Sequence, residues 1–315
     1  MSAREPTLAT AIEMHLAAMR AKRCRPRSLD TLATEQRHHL ADWLARPLAE
    51  IRRNECALRH EHLTATSGPY LANRVLQQFR AVYNTAARRF EHLPPINPVV
   101  AVTFNRVRRR REPIPWPELP AWRARVAALR NPIRRDLQHC LLFTGLRSLD
   151  ARTVRWEHLD LERATLHRPS PKGGEERAFT IPLAAPVRAL LERRREANEH
   201  EFGNDEGWVF PTRDTHGRTT HVVEAKQQRT VAGRKVRHLP SPHRLRDTFA
   251  SAAHEAGVHP LDLKVLMNHA LPAADDVTQA YIRPSLEHLR GCVETVATFL
   301  TERMSAGGAS PLDRA

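Results

Sequence analysis

The sequence has no run of about 18 apolar residues, the least that crosses a membrane as a helix. Its N-terminus has neither the apolar stretch nor the cleavage pattern of a secretion signal, which predicts a cytoplasmic protein. Its four cysteines, Cys24, Cys56, Cys140 and Cys292, stand without paired spacing. This scatter argues against a disulfide framework and a thiolate zinc site, and it suits a reducing cytosol.

A glycine-rich phosphate loop is also missing, so no nucleotide cofactor is predicted. The histidines outside the motifs described below lack the acidic or cysteine neighbours of a zinc site. They include His38, His39, His60 and His62, which are interpreted as surface residues. The sequence therefore predicts no cofactor and no metal ion.

What the chain has in excess is positive charge. Fifty Lys and Arg residues against 35 Asp and Glu leave a formal net charge of +15 in 315 residues. Such a balance favours a polyanionic partner, and nucleic acid suits it better than a membrane surface because no basic amphipathic anchor is present. A basic protein without such a partner remains the alternative. The length predicts two domains, each large enough for its own core.

The first hundred residues are predicted to be all helical. Apolar residues recur at helical spacing from Thr7 onwards and again over Leu71–Ala86, where Pro69 suits a first-turn position. A further helix is predicted over Ser28–Leu44, with Ser28 as its N-cap. Residues 1–100 are therefore assigned to one helical domain.

A basic, proline-rich linker is predicted over residues 101–119, where extended chain replaces the helical pattern. Its basic side chains either lie along a phosphate backbone or form an ordinary solvated surface. These side chains are Arg106, Arg108, Arg109, Arg110 and Arg111.

The second domain, residues 120–304, mixes helices with a small β-sheet. A hairpin is predicted from the strands Thr165–Arg168 and Ala178–Pro182, which flank a turn containing Lys172. Residues 212–240 are polar and are interpreted as loop. A terminal helix carries an apolar stripe over Leu286–Leu300, before a flexible tail at 305–315. The predicted fold class is mainly α with a small β-sheet.

Four segments of this domain share an order and spacing with one known family. They are Leu141–Asp150, which contains Thr-Gly-Leu-Arg, His243–Ser251, which contains His-x-x-Arg, Leu266–His269, and Val277–Ile282 around Tyr281. Together they resemble the motifs of the tyrosine recombinases, or phage integrase family. Taken singly, each segment has an ordinary structural interpretation, and the combination carries the resemblance.

The resemblance implies a helical core-binding (SAM-like) domain and a mixed α/β catalytic domain that enclose double-stranded DNA. It further implies site-specific strand cleavage and rejoining without a metal ion, through a 3′-phosphotyrosyl intermediate, for a phage or mobile element. Assembly as a homotetramer on two synapsed duplexes is also implied, while the free protein can be a monomer. The terminal helix resembles the segment that is donated to a neighbouring subunit, and packing on its own subunit is the alternative.

Residue types at these positions suit phosphoryl transfer. The guanidinium groups of Arg147 and Arg246 can bind the non-bridging oxygens of a phosphodiester, where negative charge develops. The phenol of Tyr281 can attack phosphorus and later leave again. Lys172, at a hairpin tip beside two glycines, is the candidate general acid for the departing 5′ oxygen.

The remaining roles follow from the resemblance alone. His243 would assist proton transfer, His269 would hydrogen-bond the phosphate, and Asp150 would buttress Arg147 or a helix end. Structural histidines are the alternative for both positions. The chain departs from the family pattern where Asn268 replaces a glycine, although asparagine tolerates a left-handed backbone, and where residues 270–276 form a longer loop.

Two other functions remain open at this point. A type IB topoisomerase-like enzyme would use the same tyrosine chemistry but would relax DNA as a monomer without site preference. A DNA-binding regulator would keep the fold and lack catalysis. The presence of Arg147, Lys172, Arg246, His269 and Tyr281 argues against the regulator.

Overall fold

The structure is a computed structural model of the chain. It describes residues 5–107, 112–203, 205–223, 239–269 and 284–305, and the backbone of residues 228–231 and 234–237. The chain divides into two compact units, Met1–Arg109 and Arg110–Ala315, and each unit has its own hydrophobic core. The division falls within the stretch interpreted as a linker.

The first unit is built from four α-helices around one core. Thr7 caps the first of them, since its Oγ1 accepts a hydrogen bond from the Thr10 backbone N–H at 3.3 Å. Phe79 and Tyr83 are among the large side chains that fill the core. The helices are α1 (Leu8–Ala21), α2 (Pro26–His39), α3 (Arg53–Ser67) and α4 (Pro69–Ala87).

The predicted boundaries of α2 are wrong at both ends. Helix α2 begins at Pro26, so Ser28 lies inside its first turn and Arg25 occupies the N-cap position. The fixed φ of proline suits the first helical residue, and this preference outweighs the capping preference of serine. The helix ends at His39, and a separate 3-10 turn, Ala41–Trp43, follows.

His60, predicted to be a surface residue, is buried at 4% exposure. Its Nε2 lies 2.9 Å from Asn73 Oδ1, and the same oxygen accepts the backbone N–H of Asn105 at 2.9 Å. Since Val102 is also buried in this core, the beginning of the predicted linker is docked on the first unit. The imidazole is retained inside the unit because a hydrogen bond satisfies it.

Seven α-helices are described in the second unit, and three of them surround the motif residues. Helix α6 (Pro132–Thr144) ends just before Arg147, α9 (Pro242–Glu255) carries His243 and Arg246, and α10 (Pro260–Leu266) ends just before Asn268. The helices are α5 (Leu119–Ala127), α6 (Pro132–Thr144), α7 (Ser148–Arg152), α8 (Ala185–Phe202), α9 (Pro242–Glu255), α10 (Pro260–Leu266) and α11 (Leu286–Ser305).

The predicted hairpin is present as the core of a three-stranded antiparallel sheet. Strand β2 (Thr165–Arg168) pairs with β1 (Leu159–Asp160) on one side and with β3 (Phe179–Pro182) on the other. In the register of the hairpin, Thr165 faces Pro182 and Arg168 faces Phe179. The turn between β2 and β3 carries Lys172.

The interpretation of residues 212–240 as loop is wrong in part. This stretch forms two further antiparallel hairpins, β4 (Pro211–Arg213) with β5 (Thr219–His221), and β6 (Gln228–Val231) with β7 (Arg234–Arg237). The first is closed by Asp214, whose Oδ1 accepts the backbone N–H of His216 and of Arg218, both at 2.9 Å. These strands consist mostly of polar residues, so they lack the alternation of apolar and polar residues that predicts a strand. The Asp-x-x-Gly turn is the sequence feature from which the first hairpin could have been predicted.

The apolar stripe of α11 packs on its own subunit. Its buried side chains belong to the same core as α6 and α9, and donation of this helix to a neighbouring subunit stays a prediction. None of the described helices combines the length and the apolar character needed to cross a membrane. The buried residues of the stripe are Leu289, Val293, Val296, Ala297, Leu300 and Met304.

Gly145 ends α6 in a conformation that permits a close approach to α9. Its φ is +61°, and its backbone N–H donates to Leu141 O at 3.1 Å. A Cβ at this position would lie 2.4 Å from Cδ1 of the buried Phe249. Glycine is therefore required at this position for two reasons, which are the left-handed backbone and the close contact between the two helices.

We expect Gly145→Ala to lower the free energy of unfolding by about 2–5 kcal/mol, from left-handed strain of about 1–2 kcal/mol and overpacking against Phe249 of about 1–3 kcal/mol. The matched control is Gly257→Ala, because Gly257 has φ +81° but nothing within 4 Å of a Cβ. Urea denaturation followed by circular dichroism measures both variants. Equal losses in the two would show that the contact with Phe249 contributes nothing.

Candidate active site

Arg246 is the centre of the site and is only 5% exposed. Its Nη1 donates to Gly145 O at 2.5 Å, and its Nη2 donates to Met267 O at 2.6 Å. The same Nη2 lies 2.8 Å from His269 Nε2. One guanidinium group thus joins the end of α6, helix α9 and the end of α10.

The charge of Arg246 is held in an unfavourable environment. Burial, together with the nearby positive charge of Arg147, lowers the pKa of Arg246 to about 10, although Asp150 and Asp247 act in the opposite direction. A buried cation beside a second cation is stabilised when an anion binds between them. The electrostatics of the site therefore favour an anionic ligand.

Arg147 lies two residues after Gly145 and occupies the N-cap position of α7. Its Nη2 donates to Asn268 O at 3.3 Å, and its Nη1 lies 4.0 Å from Oδ2 of Asp150. The side chain of Arg147 is 30% exposed and that of Asp150 is 3% exposed. Asp150 thus lies close to Arg147 in the interior, and part of the guanidinium group stays accessible.

The turn that follows α10 brings His269 to Arg246. Asn268 has a positive φ of +46°, which matches the prediction that asparagine can replace glycine there. The side-chain amide of Asn268 donates to Arg177 O at 3.1 Å. This hydrogen bond connects the turn that carries His269 to the β2–β3 connection.

Lys172 lies on the same β2–β3 connection and is exposed in its turn. Gly173, directly after it, has a φ of +115°. The structure therefore places Lys172 on a solvent-facing turn whose base is tied to Asn268 through Arg177. A mobile amine at such a position can approach a substrate that lies over the arginines.

His243 is placed differently from the other motif residues. It lies in the first turn of α9 with a side chain that is 64% exposed, and its Nε2 is 3.9 Å from Asp247 Oδ1. Among the described residues, Arg246 lies against His269, and Arg147 donates to the neighbouring Asn268 O, whereas the contact of His243 is with Asp247.

Some predicted site residues lie outside the described residues. They include Tyr281 and the arginines from 108 to 111, whereas Arg106 is described and exposed. Sequence reasoning also missed Asn268 as a tether. A signal for this role was present in the sequence. An asparagine that replaces a glycine can keep the left-handed backbone, and its side-chain amide can in addition donate a hydrogen bond.

Two cationic side chains and a histidine on the ends of three helices define a site for an anionic group such as a phosphate. Residues 128–288 of the chain match the model of the phage integrase family, which covers just over half of the sequence. The chain therefore belongs to this family.

Two relatives illustrate the sequence similarity. The chain is 27% identical over 183 residues to prophage integrase IntF of Escherichia coli, a match covering 58% of this chain and 38% of the relative. It is 34% identical over 128 residues to tyrosine recombinase XerD of Caulobacter vibrioides, covering 39% of this chain and 41% of the relative. The chain thus matches about half or less of the length of these relatives.

Solved structures share the fold over more of the chain. An integrase of the transposon Tn1549 in complex with a circular-intermediate DNA superimposes with a TM-score of 0.64 at 14% identity, covering 89% of this chain and 97% of that chain. A lambda integrase tetramer bound to a Holliday junction also gives 0.64 at 14% identity, covering 89% and 78%. The fold is that of a mainly α protein with small β-sheets.

We expect sulfate or phosphate to raise the unfolding temperature of the protein more than chloride does at equal ionic strength. At about ten times the dissociation constant, a bound anion would add about 1.4 kcal/mol. Arg147→Gln removes one of the two cations and should reduce this difference to the part that arises from the general exclusion of sulfate and phosphate from protein surfaces. The control is Arg218→Gln, since the Arg218 side chain is 76% exposed and pairs with Asp214. A difference of the same size in Arg147→Gln, Arg218→Gln and wild type would show that Arg147 binds no anion.

Proposed function

We propose that this chain is a site-specific tyrosine recombinase that cleaves and rejoins double-stranded DNA through a 3′-phosphotyrosyl intermediate on Tyr281. The observation that supports the proposal is the convergence of Arg147, Arg246 and His269 around one position. Arg246 Nη2 and His269 Nε2 lie 2.8 Å apart, although the two residues come from different motifs. Family membership supports the same reaction class.

The two arginines would stabilise the transition state of phosphoryl transfer. Negative charge grows on the two non-bridging oxygens while phosphorus is attacked, and guanidinium groups can donate two parallel hydrogen bonds to such oxygens. Arg147 is the more exposed of the two, so it would meet the phosphate from the solvent side. His269 would hydrogen-bond the phosphate beside Arg246.

Each strand is cut by a substitution at phosphorus that conserves the energy of the bond. The phenol oxygen of Tyr281 forms a bond to phosphorus, the bond from phosphorus to the 5′ oxygen breaks, and a 5′ hydroxyl is released. The phenol proton passes to a base, for which His243 is the candidate, and Lys172 protonates the leaving oxygen. Rejoining reverses these transfers, so no metal ion or nucleotide is required.

Asn268 would position the general acid. Its amide donates to Arg177 O, so the β2–β3 connection that carries Lys172 is held near His269 and Arg147. The amide itself has no role in bond making, and its effect would act through the placement of Lys172.

The proposed partner is double-stranded DNA, bound through phosphate contacts that include Arg106 and the arginines at 108 to 111. Strand exchange would take place in a homotetramer on two synapsed duplexes, and the protein would act in the cytoplasm on nucleoid DNA for a phage or mobile element. The lambda integrase tetramer on a Holliday junction supports this assembly by similarity of fold.

Two competing functions predict other products. A topoisomerase-like relaxer would change the supercoiling of any plasmid and give no recombinant, and a regulator would bind DNA without forming a covalent adduct. The relationship to prophage integrases and to XerD favours site-specific recombination over both.

We expect a nicked suicide duplex bearing the cognate site to trap a covalent protein–DNA adduct with the wild-type chain and not with Tyr281→Phe. The matched control is Tyr70→Phe, because Tyr70 is an exposed tyrosine of the first unit and the exchange again removes only a hydroxyl group. Denaturing gel electrophoresis measures the adduct. An adduct of undiminished yield from Tyr281→Phe would disprove the assignment of the nucleophile.

We expect Lys172→Ala to slow cleavage by about 10²–10⁴-fold, the usual contribution of a general acid. A duplex with a sulfur atom in place of the 5′ bridging oxygen should restore its rate, since a thiolate leaves without a proton.

Asn268→Gly keeps the left-handed backbone and removes the tether, so it should show a smaller loss that the same duplex also restores. Arg147→Gln should not recover on this duplex, because its defect concerns the phosphate charge. If Lys172→Ala fails to recover, the general acid lies elsewhere, and if Asn268→Gly alone fails to recover, the tether has no positioning role.

A further inference from the structure

A cluster of three potential metal ligands lies outside the phosphate site, between α10 and α11. It consists of Asp262 in the first turn of α10 and of His288 and Cys292, which are one turn apart on α11. The ligand atoms all lie within 4.8 Å of one another. We refer to these residues as the α10–α11 cluster.

The distances within the cluster are close to those of a tetrahedral metal site. His288 Nε2 is 2.8 Å from Asp262 Oδ2, and Cys292 Sγ is 3.9 Å from both of these atoms. Zinc bonds of about 2.0 Å to nitrogen and oxygen and about 2.3 Å to sulfur place neighbouring ligands about 3.3–3.5 Å apart. Side-chain shifts of about half an ångström would convert the observed triangle into one face of such a tetrahedron.

The chemistry of the ligand set selects the class of ion. One nitrogen, one thiolate sulfur and one carboxylate oxygen suit zinc, whereas magnesium and calcium prefer oxygen ligands alone. A spacing of four residues places His288 and Cys292 on the same face of α11, and Asp262 supplies the third ligand from the neighbouring helix. We propose that the α10–α11 cluster binds one zinc ion, with water as the fourth ligand.

One ligand of the cluster is buried and another is exposed to solvent, as suits a metal site that keeps a water ligand. The Asp262 side chain is 8% exposed and thus fixed by its surroundings, while that of His288 is 57% exposed. A metal ion can therefore enter from the solvent side and leave room for a water ligand. A carboxylate and a thiolate would together balance the two charges of the ion.

The position of the cluster suggests what the ion would do. Helix α10 leads directly to Asn268 and His269, and α11 begins shortly after Tyr281 in the sequence, so an ion shared by the two helices would fix both ends of the intervening chain. The ion would thus stabilise the second unit and take no part in the bond exchange at phosphorus. The proposal of a zinc site therefore does not rest on the proposed chemistry at phosphorus.

The cluster was not predicted from sequence, where the scattered cysteines argued against a zinc site. The relevant pattern is His-x-x-x-Cys on one helix together with an aspartate 26 residues before the histidine, and only the packing of α10 on α11 unites them. The simpler alternative is a His288–Asp262 ion pair that joins the helices, with Cys292 as a bystander.

The test is a titration of the chelator-treated full chain with zinc by calorimetry and with cobalt(II) by absorption spectroscopy. We expect one ion per chain, a thiolate-to-cobalt charge-transfer band, and a rise in the unfolding temperature of about 5 °C or more at saturating zinc. Cys292→Ser and Asp262→Asn should lose the band and most of the rise. The matched control is Cys24→Ser, because Cys24 is an exposed cysteine of the first unit and should leave both unchanged.

The alternative gives a different result with the same variants. If the ion pair alone joins the helices, wild type and Cys292→Ser respond to zinc equally and no charge-transfer band develops, which would overturn the proposal. Should Asp262→Asn not fold, Cys292→Ser still decides the question. Cleavage of the suicide duplex in excess EDTA tests the separate claim of metal-independent chemistry, and its failure would bear on the proposed function only if zinc binding is absent as well.

Discussion

The candidate site is organised around the buried guanidinium group of Arg246. Arg246 donates to Gly145 O and to Met267 O, and both carbonyls belong to residues that end a helix, α6 and α10. Carbonyl groups at helix C-termini have no partner within their own helix and carry the negative end of the helix dipole. The cation and the two helix ends therefore satisfy one another, which offsets part of the cost of burying the charge.

This arrangement explains why the two arginines are not equivalent. Arg246, at 5% exposure, holds the ends of three helices together, whereas Arg147 reaches Asn268 O from a partly exposed position. Loss of Arg246 would leave two buried carbonyls unsatisfied, so its role in the fold cannot be separated from its role in binding an anion. Arg147 can be replaced at a lower cost to the fold, which makes it the more informative of the two for studying the binding of phosphate.

Sequence reasoning succeeded where local physics determines the structure. The periodicity that begins at Thr7 predicted α1, Pro69 marked the start of α4, and the polar turn around Lys172 predicted the β2–β3 hairpin. It failed where tertiary contacts decide. His60 is buried because Asn73 satisfies it, and the stripe of α11 showed that the helix has a buried face without showing which subunit covers it.

The candidate site, too, was predictable from the sequence only in part. The order of the motifs predicted a residue set, of which the structure describes Arg147, Arg246 and His269 but not Tyr281. The replacement of a glycine by Asn268 predicted a left-handed backbone, and Asn268 has a positive φ. The convergence of the side chains was not predictable, because it arises from the way α9 packs against the ends of α6 and α10. The exposed placement of His243 beside Asp247 likewise follows from the geometry of α9 and not from any feature of the motif.

The charges around the arginines indicate a site prepared for its ligand before the ligand arrives. Asp150 and Asp247 raise the pKa of Arg246, while burial and Arg147 lower it to about 10, so the group keeps its positive charge at neutral pH. The carboxylates hold the cations in place from behind without closing the accessible side of Arg147. Because the donors are already fixed by the fold, binding a phosphate would require little reorganisation, and this is the condition under which electrostatic stabilisation of a transition state is most effective.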